Sequence, residues 1–350
     1  MLSHVQARAA AFGALLAFAS IRLAGQQSQA DAPVDAAARS AVIEALAARL
    51  DSGYVVPEAG QSAARELRGT AAAGAYDNFK AARPFAEKVT LDLRAATKDK
   101  HLALYYDPAP APASGAAAMA PRARERFNYG FNKLESLPGN VGYLEIGSFA
   151  STDEASKETA STFLSALANF DSIILDLRRN GGGNTPMAAF VASYFLGPKP
   201  IRFSTIYWRD ENRTVDVMTS EVVAGRRSLD RDLFLLVGPS TFSAAEDFSY
   251  SLQQLKRATL VGETTAGGAH MGKGLQRLSP LFTAFIPIGR SINPVTNTNW
   301  EGVGVKPDVV VPVDEALTEA HRRAILKLLE REKDQGWRDY LRRVLPEQAR

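Results

Sequence analysis

Apolar positions along the chain change period twice. Over residues 35–51 (DAAARSAVIEALAARLD), Val42, Ile43, Leu46 and Leu50 recur at helical spacing. Two further helical segments follow near 58–68 and 84–97, and KDKHLALYYD ends in a run that reads as a strand. Residues 108–121 (PAPAPASGAAAMAP) carry no apolar period and read as a linker or crossover. From about 139 the pattern becomes short continuous apolar runs: VGYLEIGSF, SIILDL, LFLLVG and ATLVGE. Between them lie helical stretches over 153–169, from RRNGGGNT through Phe195, and from Ser243 to Leu255. Strands apolar on both faces and alternating with helices predict an α/β fold, a mostly parallel sheet flanked by helices and preceded by a small helical domain. TAFIPIG and DVVVPV close the pattern, and the tail from Asp314 is helical and charged. The expected divisions are a helical domain over 31–106, an Ala/Pro-rich linker over 107–138, a core over 139–315 and a helical tail over 316–350.

Composition narrows the function classes. The 350 residues are 46% hydrophobic and 23% charged, ordinary for a globular protein, and the net charge of +3 is spread along the chain. No basic stripe suggests nucleic acid. The chain has no cysteine, which excludes thiol catalysis, disulfides, thiolate metal sites and a lipoprotein anchor. Residues 1–30 read as a signal peptide: His4 and Arg8 precede the short apolar segment 9–21, and Ser28-Gln29-Ala30 offers a cleavage site. That implies a periplasmic or extracellular chain with no stable membrane anchor.

Two strand-to-helix junctions carry candidate chemistry. In GPSTFSAAE, Ser243 stands where a buried strand gives way to a helix. It reads as an N-cap, with Glu246 completing a capping box. The other reading, which the local residues alone favour less, is a nucleophile beyond the carboxyl end of a strand, with the Ala244 N–H facing an oxyanion. In RRNGGGNT, Gly182 and Gly183 let the backbone approach a ligand and point amides at it. The spacing is not that of a phosphate loop. A serine nucleophile needs a base. His101, His270 in AGGAHMGKG and Lys273 are the candidates, with His4 in the leader and His321 expected on the surface of the tail helix. Glu301, in a glycine-flanked turn, is a candidate to orient a histidine.

Taken together, ILDLRRNGGGN, VGPSTFSAAEDF, GETTAGGA and WEGVGVKPD resemble the tail-specific (C-terminal processing) serine protease family. The resemblance covers roughly 139–313, and more weakly 38–106. It is strongest to the interphotoreceptor retinoid-binding protein-like branch, and tricorn protease is distantly similar. It implies a crotonase-like or ClpP-like core, with Ser243 as nucleophile and oxyanion donors at Ala244 and at Gly182 or Gly183. The family's Ser–Lys dyad is missing, because Gly268 holds the lysine position. A tricorn-like arrangement places His101 as base and Glu301 behind it, with Lys100 where that pattern has a serine. Between His101 and Val141 there is no room for a PDZ domain. The expected activity is peptide-bond hydrolysis on a peptide or protein substrate, without cofactor or metal. The alternatives are a carrier of apolar ligands such as retinoids or fatty acids on the same fold, and an esterase.

Overall fold

Three helices open the chain in the computed structural model, which describes residues 31–108 and 121–346. Helix α1 (Ala36–Gly53) starts at Asp35, whose carboxylate accepts the N–H of Ala38, and it buries Val42, Ile43, Leu46 and Leu50. Helix α2 (Pro57–Ala72) begins with proline, which needs no partner for a missing N–H. Helix α3 (Ala82–Thr97) stops at Lys98, in the left-handed conformation at φ 60°. Strand β1 (Ala103–Tyr106) follows. The expected signal segment, 1–30, lies outside the described residues, as do residues 109–120 of the expected linker. Among the described residues no helix is long and apolar enough to cross a membrane.

The chain continues through α4 (Pro121–Arg126), β2 (Phe131–Leu137), β3 (Val141–Ile146), α5 (Glu154–Leu167), β4 (Ser172–Asp176) and α6 (Thr185–Ala192). Next come β5 (Arg202–Trp208), β6 (Arg213–Met218), β7 (Asp232–Val237), α7 (Ala244–Gln254) and β8 (Thr259–Gly262). Four short strands, β9 (His270–Met271), β10 (Leu275–Ser279), β11 (Phe282–Phe285) and β12 (Gly289–Ile292), precede β13 (Val309–Val310), α8 (Ala316–Arg331) and α9 (Gln335–Val344).

Six strands form the central sheet in the order β13-β8-β7-β4-β3-β2, and all neighbours are parallel except β2 against β3. Its strands are buried on both faces. Ile173, Leu175, Leu233, Leu235 and Val237 pack with α5, α6 and α7, while Ile174, Phe234 and Leu236 pack with α8. Double-sided burial is why these strands appear in the sequence as unbroken apolar runs. Strand β2 occupies part of the expected linker. Its edge position exposes the stretch from Asn132 to Ser136, so it carries no apolar run.

Two antiparallel sheets complete the molecule, β6-β5-β12-β9 and β1-β11-β10. β1 pairs with β11 in the register Leu104↔Ala284, and Phe282, Ala284 and Ile286 share one apolar cluster with α1 and α3. Residues 275–286, placed in the core by the sequence pattern, thus pack with the helical region. Pairing over nearly two hundred residues leaves no local trace. His321 is also not a surface residue: it is buried, and its Nε2 lies 2.8 Å from the Pro138 carbonyl.

Candidate active site

β4 and β7 are neighbours in register, with Asp176 opposite Leu236, so the turns beyond their carboxyl ends lie side by side. The turn after β7 is locked in place. Thr241 Oγ1 donates to the Leu177 carbonyl at 2.8 Å, and the Phe242 N–H donates to the Asn180 carbonyl at 3.0 Å. The next residue, Ser243, has φ 56° and ψ −122°. An N-cap residue sits in the extended region; this conformation is one that serine rarely adopts.

The glycine turn presses against it. Gly182 and Gly183 have φ 99° and 128°. A Cβ on Gly182 would lie 2.7 Å from Ser243 Cβ and 2.9 Å from the Ala244 nitrogen, so only glycine admits this approach. The Gly182 N–H is already taken by Asn180 Oδ1 at 2.8 Å. Gly183 is exposed, and its own N–H is left out of the bridge to Phe149, which uses the Gly182 carbonyl and the Asn184 N–H.

A third segment, GETTAGGA, reaches Ser243 through Glu246. The buried Glu246 carboxylate accepts the N–H groups of Ser243 (2.9 Å), Gly267 (2.6 Å) and Gly268 (2.8 Å) and the Thr265 hydroxyl (2.5 Å). Burial pushes its pKa up to about 7, against these four donors. Four residues into the helix, Asp247 accepts Ser204 at 2.8 Å and Ser291 at 3.2 Å, and burial raises it to about 6. A small cavity of about 10 Å³ beside Ser243, room for about one water, is lined by Thr185, Asp247, Gly268, His270 and Trp300.

The histidines separate by environment. His101 stacks on Phe242, with ring centroids 4.3 Å apart. Its Nδ1 is buried without a hydrogen-bond partner among the described residues. Burial lowers its pKa to about 4, with Asp99 opposing. His270, on β9, directs Nδ1 to Asp99 Oδ2 at 2.8 Å and lies 3.8 Å from Glu301 Oε2. Burial would depress His270, but the bond to Asp99 and the charge of Glu301 outweigh it and raise its pKa. Asp99 is held below the usual range because His270 outweighs its own burial. Glu301 accepts the N–H groups of Ala269 (2.5 Å) and His270 (2.9 Å) through Oε2, while its Oε1 is buried without a partner among the described residues. Burial, then the charge of Asp99, raises Glu301 to about 7. The structure therefore sets Glu301 against His270 and Asp99 and makes no direct contact between Glu301 and His101. Asp99, His270 and Glu301 bring possible metal-ligand atoms within 4.8 Å of one another. Hydrogen bonds already satisfy Asp99 and the His270 Nδ1, so the group reads as a polar network.

The model for peptidase family S41 matches residues 140–311, and that for the N-terminal domain of peptidase S41 in eukaryotic IRBP matches residues 36–129. The chain belongs to peptidase family S41. A carboxyl-terminal-processing protease of Synechocystis sp. is 35% identical over 179 residues, covering 51% of this chain and 39% of its own length. The chloroplastic carboxyl-terminal-processing peptidase 2 of Arabidopsis thaliana is 27% identical over 198 residues, covering 55% of this chain and 37% of its own length. The chain thus spans less than half the length of these two S41 relatives. Among solved structures, a putative peptidase from Parabacteroides merdae aligns with TM-score 0.55 at 18% identity, over 78% of this chain and 90% of that one. The photosystem II D1 C-terminal processing protease aligns with TM-score 0.50 at 15% identity, over 79% and 93%. At these identities the likeness shows the fold.

Against the S41 pattern, the lysine position is closed sterically. A Cβ on Gly268 would meet Phe242 Cε2 at 2.1 Å and His101 Cε1 at 2.9 Å. Lys273 does not replace it: its ammonium pairs with Asp210 at 2.7 Å and with Glu211, over the Trp208 ring. Lys100 donates to the Ala266 carbonyl at 2.5 Å. Sequence reasoning missed Asp99, and it read Glu246 as half of a capping box. Tyr54 and His270 lie far from Asp99 along the chain, and Thr265, Gly267 and Gly268 lie some twenty residues from Glu246; the only available signal was a carboxylate close to each candidate residue.

Proposed function

We propose that the chain is a serine-type peptidase that hydrolyses peptide bonds through an acyl-enzyme on Ser243, with His101 as base. The backbone of Ser243 carries this reading. A left-handed serine at the end of a parallel strand, pressed by glycine, is a strained turn that exposes a nucleophile, whereas capping requires no strain.

Ser243 Oγ attacks the substrate carbonyl carbon while His101 takes the hydroxyl proton. The carbonyl electron pair moves onto oxygen, which the N–H groups of Ala244 and Gly183 receive. Collapse breaks the C–N bond, and His101 returns its proton to the leaving amine. Water then attacks the ester, again giving a proton to His101, and the acid leaves as Ser243 is regenerated. Each step uses groups of this chain alone. Gly182, whose amide is occupied, allows the close approach.

His101 is the better base because it is neutral at pH 7, held between the rings of Phe285 and of Phe242, the residue that precedes Ser243. His270 sits between two carboxylates, where its proton is retained. Two orphaned atoms support a role for Glu301. His101 Nδ1 and Glu301 Oε1 are both buried and without a hydrogen-bond partner among the described residues, a state that calls for an explanation, and a ring N–H and a carboxylate oxygen are complementary. Contact between them, direct or through a bridging group, would orient His101 in the substrate complex. The leader expected over 1–30 places the proposed activity in the periplasm or outside the cell, on a peptide or protein substrate.

The test is reaction of the full chain with a fluorophosphonate probe. The label is expected on the peptide carrying Ser243, and Ser243→Ala should abolish both label and peptide hydrolysis. A chain that stays unlabelled yet quenches retinoid fluorescence would overturn the reading in favour of a carrier.

A further inference from the structure

His101 lies just beyond α3, on the helical side of the molecule, while Ser243 belongs to the central sheet. A base has to hold its place within a fraction of an ångström, and about 1 Å of misplacement costs on the order of 10²-fold in rate. Something at the junction must supply that precision.

Asp99 is fully buried there, two residues before His101. Its Oδ1 accepts the backbone N–H of His101 at 2.9 Å and that of Leu102 at 3.4 Å. Its Oδ2 accepts His270 Nδ1 and the Tyr54 hydroxyl, each at 2.8 Å. One oxygen therefore grips the backbone of His101, and the other grips the core. The Tyr54 ring stands edge-on to His270 with centroids 6.0 Å apart, and His270 is fixed from behind through its own N–H on Glu301. A buried carboxylate is costly unless every oxygen is satisfied, so this set has one arrangement rather than several. The proposed mechanism uses neither Asp99 nor His270.

We infer that Asp99 and His270 are a positioning pair that sets His101 against Ser243, Asp99 holding the His101 backbone and His270 anchoring Asp99 to the core. The inference rests on the reading of His101 as the base. Neither residue touches substrate in this scheme.

The test uses the full-length chain and the inactivation kinetics of the fluorophosphonate probe, with kinact and KI separated and folding checked by thermal melting. Asp99→Asn keeps a carbonyl for the His101 N–H but turns an amide toward His270. It should lower kinact about 10–100-fold and leave KI within about twofold. His270→Ala leaves the Asp99–His101 bond in place and should lower kinact in the same sense, about 5–30-fold. It also serves if Asp99→Asn fails to fold. The decisive arm repeats both changes in a His101→Ala background. Acting only through His101, they should lower the residual rate no further. Wild-type kinact in folded Asp99→Asn, or an additional loss in the His101→Ala background, would overturn the inference. If His101→Ala alone left kinact unchanged while His270→Ala abolished labelling, the base assignment itself would fail, an outcome distinct from the other two.

Discussion

Ser243 occupies a backbone conformation that serine does not choose. The local sequence, a serine before a helix with glutamate three residues on, fits an N-cap better than a nucleophile. Ser243 does cap α7, with Glu246 reaching back to its N–H at 2.9 Å, but the sequence cannot report its φ of 56°. Strain of this kind costs about 1–3 kcal/mol and persists only where the surroundings impose it. Ser243→Gly should therefore raise stability by about 1 kcal/mol, after allowing for the extra freedom of glycine in the unfolded chain, while abolishing fluorophosphonate labelling. Urea midpoints of the two proteins check this, and an unchanged or lower midpoint would remove the strain argument. Gly182 and Gly183 were legible because glycines at a strand end announce a close approach. Asp99 was not legible, because KDKH looks like any polar turn. Its four partners come from Tyr54, His101, Leu102 and His270, and two of those lie far off in sequence. Glu246 was read for one local bond and in fact collects four donors from two loops.

Elements were legible where burial is two-sided. The runs SIILDL and LFLLVG are unbroken because β4 and β7 lie between helices on both faces. Helix α8 was visible as a charged tail, but its docking was not. The basic residues that make it look solvated are ion-paired: Arg322 and Arg323 reach Glu319, and Lys327 and Arg331 reach Asp232. Its other side, Ala316, Ala320, Ala324 and Ile325, is buried against the sheet. Ile325 is fully buried, so Ile325→Ala should cost about 2–5 kcal/mol. Because α8 covers the face opposite α7, the labelling rate of the folded protein at Ser243 should stay at the wild-type value. Denaturant midpoints and probe kinetics measured side by side separate the two effects. A slowed labelling rate in folded Ile325→Ala would mean that the sheet transmits the defect to the site.

For the whole molecule, the assembly of the helical region onto the sheet was the least legible feature. It is made by β1 on β11 and by the Asp99 network, contacts between segments some 170 to 180 residues apart. Three carboxyl groups, withdrawn from water, should govern pH dependence. Glu246 and Glu301 are raised to about 7, and Asp247 to about 6. Unfolded carboxyls titrate near 4, so between about pH 4.5 and 7 the folded chain binds more protons than the unfolded one. Stability therefore falls as pH rises through that window. His270, also raised, acts in the same direction. His101 and His321, both lowered, oppose it below about pH 6.5, and Asp99 opposes it below about pH 4. The unfolding free energy from urea titration should be higher at pH 5.5–6 than at pH 7.5, by roughly 1–2 kcal/mol. Activity runs the other way. His101 is neutral above about pH 4, but Glu301 must lose its proton near pH 7 before it can orient an imidazolium, so kinact should rise through about pH 7. Glu301→Gln should flatten that limb while leaving the stability slope from Glu246 in place. A kinact limb near pH 4 in the wild type would instead assign the titration to His101 alone and leave Glu301 a purely structural acceptor for the amides of Ala269 and His270.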